Sequence, residues 1–307
     1  MKLLNLVYNF KNLIPKNTCV YSKIKEKYRY YMIKFKYIEL LKHDFKKCVG
    51  YELNLDNPKT FNEKLQWLKC YYRDPLMELC ADKVAVRNFV RDTIGEEYLT
   101  PIYGIYNAPE EIKFDKLPDS FVLKTNHASG QVIICKDKQK INFNKIRLQL
   151  KKWLTTNYYY LTGEWVYKNI KPQIVCEKLL DENIADYKFY CFNGEPKILL
   201  ICTDRVTEVK MNYYDMNFKL LPLKQKAKNN LTKMHIPDNF EVLKQLSKKL
   251  SKKFPHVRVD FFVVENKIYF SELTFFDSNG MEPFNPVEWD YKFGTYLKLP
   301  KANNWVI

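Results

Sequence analysis

Hydrophobic and polar positions change period along the chain, and the change divides it. In residues 22–42 the apolar positions Ile24, Tyr28, Tyr31, Phe35, Ile38 and Leu41 recur every three or four residues, one stripe of an amphipathic helix. Lys23, Lys27, Arg29, Lys34 and Lys36 fall mostly on its other faces. Thr60-Phe61-Asn62-Glu63 has the form of a capping box and opens a helix through Phe61, Leu65, Leu68 and Tyr72, with Trp67 against its neighbours. After Arg73-Asp74-Pro75 the helical period resumes, and Asp82 suits the N-cap of a helix over 83–93. Residues 1–80 therefore read as helical, without β-α-β alternation.

Beyond Tyr98 strand patterns take over. They are predicted at 101–106, 121–125, 131–135, 174–179, 187–192, 197–202 and near 211–218. Helices are predicted at 143–155 and 241–254, where Ile146, Leu150 and Leu154, then Val242, Leu246, Leu250 and Phe254, recur at spacing four. Asn193-Gly194 is the strongest short hairpin signal. The lysine-rich stretch 222–240, with two prolines, reads as a long mobile loop. Last come two β-rich runs, 257–264 and 267–273, flanking Glu265-Asn266. Asp260 lies on the first and Glu272 on the second, one position off the register such a turn imposes. A modest bulge or twist would bring the two carboxylates together, as hard-oxygen ligands for a divalent ion carrying phosphate. On spacing alone, two solvated acids on an ordinary hairpin is the preferred reading.

Composition narrows the classes. With 307 residues, 46% hydrophobic and 16% aromatic, the chain can bury a large core and is not disordered. It has eight glycines, and neither G-x-G-x-x-G nor G-x-x-x-x-G-K-[ST] occurs. Eight cysteines without a C-x-x-C pair read as reduced, mostly buried thiols, and the four histidines (43, 127, 235, 256) show no metal spacing. The N-terminus is too polar for a secretory signal, and no run approaches the ~20 apolar residues of a spanning helix, so a cytoplasmic location is expected. The net charge of +16 is uneven, residues 1–50 carrying +9. A basic end can meet nucleic acid, anionic lipid or an acidic polymer. The basic stripe at 22–42 suits the surface of an anionic membrane. Packing of the stripe on the protein's own core is the preferred reading and is compatible with that contact.

Candidate chemistry is scattered. Lys124 ends a strand and is followed by Thr125-Asn126-His127-Ala128-Ser129-Gly130, a loop of small residues able to bring backbone N–H groups to a phosphate. Taken alone, His127 reads as a polar loop residue. Glu177 sits where a strand becomes a connection, placed to read a ribose or to pair with Lys178. Asp186, Lys188 and Arg205 add charge on or beside later strands. No nucleophile elbow, Cys–His arrangement or D-x-D is present.

Taken in order, Asp82-Lys83, Phe-Val-Leu-Lys124 with its loop to Ser129-Gly130, Val-Cys-Glu177-Lys-Leu, Arg258-Val-Asp260 and Glu272-Leu-Thr274 resemble the ATP-grasp superfamily. The closing hairpin resembles that of D-alanine–D-alanine ligases. Nearly the whole chain is similar to the TupA-like ATP-grasp family of bacterial capsule and teichuronopeptide gene clusters. Thr60-Phe-Asn-Glu-Lys-Leu-Gln-Trp67, Asn126-His-Ala-Ser-Gly130, Asp186-Tyr-Lys-Phe-Tyr-Cys-Phe-Asn-Gly-Glu-Pro196 and Phe284-Asn-Pro-Val-Glu-Trp-Asp290 carry that likeness.

The resemblance implies an α+β ATP-grasp fold, two α+β lobes whose antiparallel sheets sandwich ATP, behind a basic helical segment. Its boundaries would be 1–80, 81–172 for the first lobe and 173–307 for the second. Lys83 and Lys124 would hold ATP phosphates under a loop containing His127, Ser129 and Gly130, while Glu177, Lys178 and Leu180 would take ribose and adenine. Asp260, Glu272 and Thr274 would bind Mg²⁺, with Thr274 standing where the superfamily usually has Asn. Arg258 and Lys188 would be catalytic, Arg258 steadying an acyl phosphate. The implied activity is ATP-dependent carboxylate–amine ligation on a uronic-acid or amino-acid unit of a bacterial cell-surface polysaccharide. Its partners would be an acidic polysaccharide or lipid-linked sugar and an amino acid or amine, with peripheral contact at the inner face of an anionic membrane and no nucleic acid. A glycosyltransferase in the same setting is the alternative, followed by a phosphotransferase and a non-catalytic binding protein.

Overall fold

Two helices, α1 (Cys19–Phe35) and α2 (Tyr37–Val49), occupy the place of the single helix expected across 22–42. The computed structural model describes residues 19–181, 184–204, 207–230 and 236–303, with side chains from residue 26 onward. The side chain of Ile24, and Arg205 and His235 altogether, lie outside these. Lys36 leaves helical geometry (φ −144°, ψ 40°), and a stripe drawn across that break loses its phase. The buried set is instead Ile33, Tyr37, Leu40, Leu41, Phe45 and Val49, while Phe35 and Ile38 stay 61% and 37% exposed.

Helix α3 (Phe61–Tyr71) starts at the expected capping box, with Thr60 Oγ1 accepting from the Glu63 N–H (3.1 Å) and Glu63 accepting from the Thr60 N–H (3.0 Å). Helices α4 (Pro75–Ala81) and α5 (Val86–Ile94) follow. The helix expected from residue 83 begins at Val86, because Asp82 first caps a separate turn, accepting from the Val84 N–H at 2.8 Å.

A four-stranded antiparallel sheet combines β1 (Ile102–Tyr106), β2 (Phe121–Thr125), β3 (Val132–Cys135) and β4 (Ile174–Glu177) in the order β1-β4-β2-β3. Helix α6 (Phe143–Leu154) supplies Ile146 and Leu150 to its small core with Phe121, Leu123, Cys135, Ile174 and Cys176. A single turn, α7 (Tyr159–Thr162), precedes β4. Strand β4 was expected in the second lobe, but it is hydrogen-bonded between β1 and β2, so the first sheet runs through Glu177 rather than ending before 173.

The second sheet has five antiparallel strands, β5 (Asp186–Phe192), β6 (Glu195–Thr203), β7 (Lys210–Asp215), β8 (His256–Val264) and β9 (Lys267–Thr274), ordered β7-β6-β5-β8-β9. Both hairpin turns take positive φ at their two central residues, Asn193-Gly194 and Glu265-Asn266, as the right-handed twist of paired strands demands. Helices α8 (Phe240–Ser251) and α9 (Glu288–Tyr296) pack around this sheet.

The lysine-rich stretch after β7 is tied down over its described part. Leu223 is buried, Lys224 and Asn285 exchange two backbone hydrogen bonds of 2.9 Å, and the Asn229 side chain bonds the Met211 carbonyl at 3.0 Å. Residues 231–235 of the expected loop lie outside the described residues.

One large core joins the N-terminal helices to the second sheet. Ile33, Phe45, Phe61 and Leu65 share it with Phe189, Phe192, Val257 and Val259. The described part of the 1–80 region is therefore continuous with the second lobe. Helix α3 is the main tie. Fully buried Asp290 accepts from the Asn62 N–H (2.9 Å), the Asn62 amide (2.8 Å) and Tyr51 (2.8 Å), and Lys64 donates to the Gly294 and Leu297 carbonyls that end α9. A Cβ on Gly294 would stand 2.1 Å from the Lys59 carbonyl, so only glycine lets α9 approach this closely. The stretches 60–67 and 284–290, which had no chemistry assigned, thus lock onto one another.

Candidate active site

The cleft lies between the two sheets. From the first lobe, Val122, Lys124 and Glu177 share one sheet face, because β2 and β4 pair Val122 with Glu177 and Lys124 with Val175. The Lys124 ammonium meets the Glu177 carboxylate at 2.5 Å. From the second lobe come Phe262, Phe270 and Ser271, and from α5 and its approach Lys83, Val86 and Arg87. Together with Leu99 and Thr100 they line the cleft. Phe262 and Phe270 thus stand in the same lining as the Lys124–Glu177 pair.

The floor is the β8–β9 hairpin. Asp260 and Glu272 are direct cross-strand partners, brought opposite by a register shift between Asp260 and Phe261. The expected bulge is there. Around them stand four cations. Burial alone would raise the Glu272 carboxyl, but Lys83, Lys188, Arg258 and Lys124 outweigh it and hold the acid down at about 2. Arg258 reaches Asp260 through Nε (2.8 Å) and Nη2 (2.7 Å), Thr274 at 3.1 Å and Glu272 at 3.5 Å, and also bonds Asp277. Burial would lower the guanidinium, and Asp260 and Asp277 override it. Lys188 sits 2.5 Å from Asp260 Oδ2, the oxygen Arg258 Nη2 also bonds, and 3.7 Å from Asp186; burial lowers it, these carboxylates raise it, and the net direction is up.

Asp260 and Glu272 differ in one respect the sequence did not signal. Asp260 is fully buried with both oxygens engaged by cations, whereas the Glu272 side chain is 34% exposed. Thr274 donates to Glu272 Oε1 at 3.3 Å. Among the described residues no group of three or more His, Cys, Asp or Glu is arranged to hold a metal ion. The donor set of two carboxylates and a hydroxyl still suits Mg²⁺ in kind. Glu272 lines the cleft, whereas both Asp260 oxygens are held by Arg258 and Lys188.

The phosphate-loop residues divide. Lys83 donates to the Ala128 carbonyl at 2.7 Å and so tethers the loop, its pKa lowered by burial. Ser129 and Gly130 form the exposed tip, Gly130 at φ 75° with open space around it. His127 is turned inward, 2% exposed, with Nε2 on the Thr156 carbonyl at 3.1 Å, so it anchors the loop to the end of α6. Asn126 does the same, bonding Asp82 and the Lys171 carbonyl, each at 3.0 Å. Beyond Glu177, the Lys178 side chain is exposed while its N–H bonds the Pro101 carbonyl at 2.9 Å, and Leu180 is half-buried.

Three contributors escaped the sequence reading. Asp277 fixes Arg258 and accepts from Tyr190 at 2.8 Å. Its turn, with positive φ at Ser278, Asn279 and Gly280, is held from α3: Lys69 donates to Asn279 O (2.9 Å) and Oδ1 (2.6 Å), and Gln66 to the Asn279 (3.0 Å) and Gly280 (2.6 Å) carbonyls. Burial lowers the completely buried Lys69 and raises buried Glu164, and their mutual attraction opposes both shifts. A lysine among the apolar positions of a helix was the available signal for this brace.

Two antiparallel sheets closing on a cleft lined by Lys83, Lys124 and Glu177, over a carboxylate-bearing hairpin, define the ATP-grasp architecture. The chain belongs to the TupA-like ATPgrasp family, whose profile matches residues 63–298. No curated protein matches it. Among solved structures it is similar to the D-alanine–D-alanine ligase of Bacillus anthracis complexed with ATP (19% identity, TM-score 0.38, 64% of this chain and 53% of that one). It is also similar to that of Helicobacter pylori (17%, 0.42, 78% and 69%) and to the ATP-grasp ligase PsnB with minimal precursor, Mg and ADP (13%, 0.39, 66% and 52%). The chain thus spans about half the length of the Bacillus anthracis ligase.

Proposed function

We propose that this protein is an ATP-dependent carboxylate–amine ligase. A substrate carboxylate oxygen attacks the γ-phosphorus, ADP leaves, and an acyl phosphate forms. An amine then attacks the acyl carbon, phosphate leaves and the nitrogen loses a proton, completing an amide. The observation that carries the reading is the convergence of Lys83, Lys124, Lys188 and Arg258 on Glu272, directly across from Asp260. Phosphoryl transfer calls mainly for positioning and charge neutralisation, and this set supplies both.

In this reading Lys83 and Lys124 hold phosphate oxygens, and Lys83 closes the 126–130 loop through Ala128. Glu177 takes the ribose, with Phe262, Phe270 and Val122 around the base. Asp260, Glu272 and Thr274 would hold Mg²⁺, which would supply charge neutralisation at the phosphates. Arg258, clamped by Asp260 and Asp277, steadies the acyl phosphate, and Lys188 stands ready to exchange Asp260 for a phosphate oxygen. The proposed acceptor is a uronic-acid or amino-acid unit of an acidic surface polysaccharide or its lipid-linked precursor. The chain's net charge of +16 supports an acidic acceptor.

The test incubates the protein with ATP, Mg²⁺, uronate-bearing oligosaccharides and mixed amino acids, following ADP release and product mass. A mass gain of amine minus water with one ADP per product is expected. Thermal stabilisation by a nucleotide sugar but not by ATP would overturn the proposal.

A further inference from the structure

We infer that the face around Tyr30, Lys34, Phe35 and Ile38 is a docking surface for anionic lipid. The inference is independent of the reaction proposed above. The break at Lys36 sends Ile33, Tyr37, Leu40 and Phe45 into the core and leaves apolar side chains on the opposite side: Tyr30 41%, Phe35 61% and Ile38 37% exposed. These are not scattered singly. The rings of Tyr31 and Phe35 lie 4.9 Å apart, and the Lys34 ammonium sits 5.7 Å over Tyr30 and 5.3 Å over Phe35. Tyr30 packs on Tyr160 of α7 at 4.4 Å, so the patch is backed by the folded body.

Charge says what covers it. In this stretch the acids are largely neutralised: Asp44 pairs with Arg29 at 2.8 Å, Glu39 with Lys36 at 2.9 Å, and Glu52 with Lys46. Exposed Glu26 has no basic partner among the described residues. Among the described residues Lys27, Lys34, Lys42 and Lys47 are exposed and have no acidic partner. The sequence before them continues the pattern, with five lysines and no acid in residues 1–25. A second copy of the chain would bring this one-signed face against itself, with like charges opposed. A bilayer carrying anionic headgroups complements both features at once, rings entering the headgroup boundary and lysine stems reaching back to the charged surface.

The test is sedimentation of the full chain with sucrose-loaded vesicles. One set is pure phosphatidylcholine and the other contains 30% phosphatidylglycerol by composition. Binding to the phosphatidylglycerol set alone is expected, falling as salt rises. Lys34→Glu together with Lys42→Glu should weaken it by at least about fivefold per lysine, and Phe35→Ser with Ile38→Ser should weaken it comparably. Lys151→Glu with Lys152→Glu, on α6, serves as a charge-matched control expected to lose less than half as much. These side chains are exposed, so unchanged melting temperatures identify folded variants. Three outcomes would overturn the inference: no sedimentation of the parent chain with either vesicle, equal losses in patch and control variants, or a parent dimer that Phe35→Ser/Ile38→Ser converts to monomer.

Discussion

Replacing Asp260 by Asn and Glu272 by Gln should separate two roles that a shared metal site would merge. Asp260 is fully buried between Lys188 at 2.5 Å and the Arg258 fork at 2.7 and 2.8 Å. The amide keeps the shape but leaves two cations facing a neutral group, and stranding buried charge in this way costs about 3–5 kcal/mol. An unfolding entropy of about 2.1 cal/mol/K per residue makes that a melting-temperature drop of roughly 5–8 °C for a chain this long. Glu272 is one-third exposed, its contact with Arg258 is 3.5 Å, and its cations keep other partners in Ala128, Glu177 and Asp260. Its neutralisation should cost less than that of Asp260, about 1–3 kcal/mol after solvent screening, or roughly 2–5 °C. Both variants should lose ATP turnover. The assay is calorimetric or circular-dichroism melting without nucleotide, beside ADP release with it. Equal melting of Asp260→Asn and the parent chain would refute the buried-clamp account of Asp260.

Three further outcomes are expected. Lys69→Met removes two charge-assisted bonds to Asn279 at the cost of about 1.5–3 kcal/mol; it should lower turnover through loosened Asp277 and Arg258 more than it weakens ATP binding, readable as a kcat loss at nearly constant KM for ATP. Burial lowers His256 to about 4, against an ordinary 6.5, so the unfolded chain binds more protons between those values. Stability should therefore be lost as pH falls from 6.5 toward 4, by up to roughly 3 kcal/mol, and His256→Phe should flatten that limb of a denaturation–pH series. Gly294→Ala drives a Cβ onto the Lys59 carbonyl, with backbone on both sides, and should abolish soluble expression or lower the melting temperature by more than any surface alanine.

The closing hairpin was legible because turn chemistry and alternation fix register, and the one ambiguity, an offset of one between Asp260 and Glu272, was resolved by the bulge before Phe261. The order of Lys83, Lys124 and Glu177 likewise survived into one cleft. Periodicity failed where a helix broke, at Lys36, since a phase carried through the break assigns the wrong face. His127 illustrates another limit. A polar residue in a phosphate-type loop looks the same in sequence whether it faces the ligand or bonds the Thr156 carbonyl. Strand β4 was placed in the wrong lobe for a comparable reason: alternation reveals a strand and says nothing of which sheet receives it. Asp277 and Lys69 act across 210 residues or fewer of intervening chain, and no local pattern encodes such a pairing.

Helix α3 carries a consequence for how this chain can be made and cut. Its bonds to Asn279, Asp290 and Gly294 span 210, 228 and 230 residues. During synthesis α3 leaves the ribosome with its partners not yet translated, so the segment that steadies Arg258 cannot be assembled until the last helix emerges. Contacts of such sequence separation slow folding and expose intermediates. A fragment trimmed to the two lobes from residue 81 onward would keep Lys83, Lys124 and Glu177 yet release the turn behind Arg258.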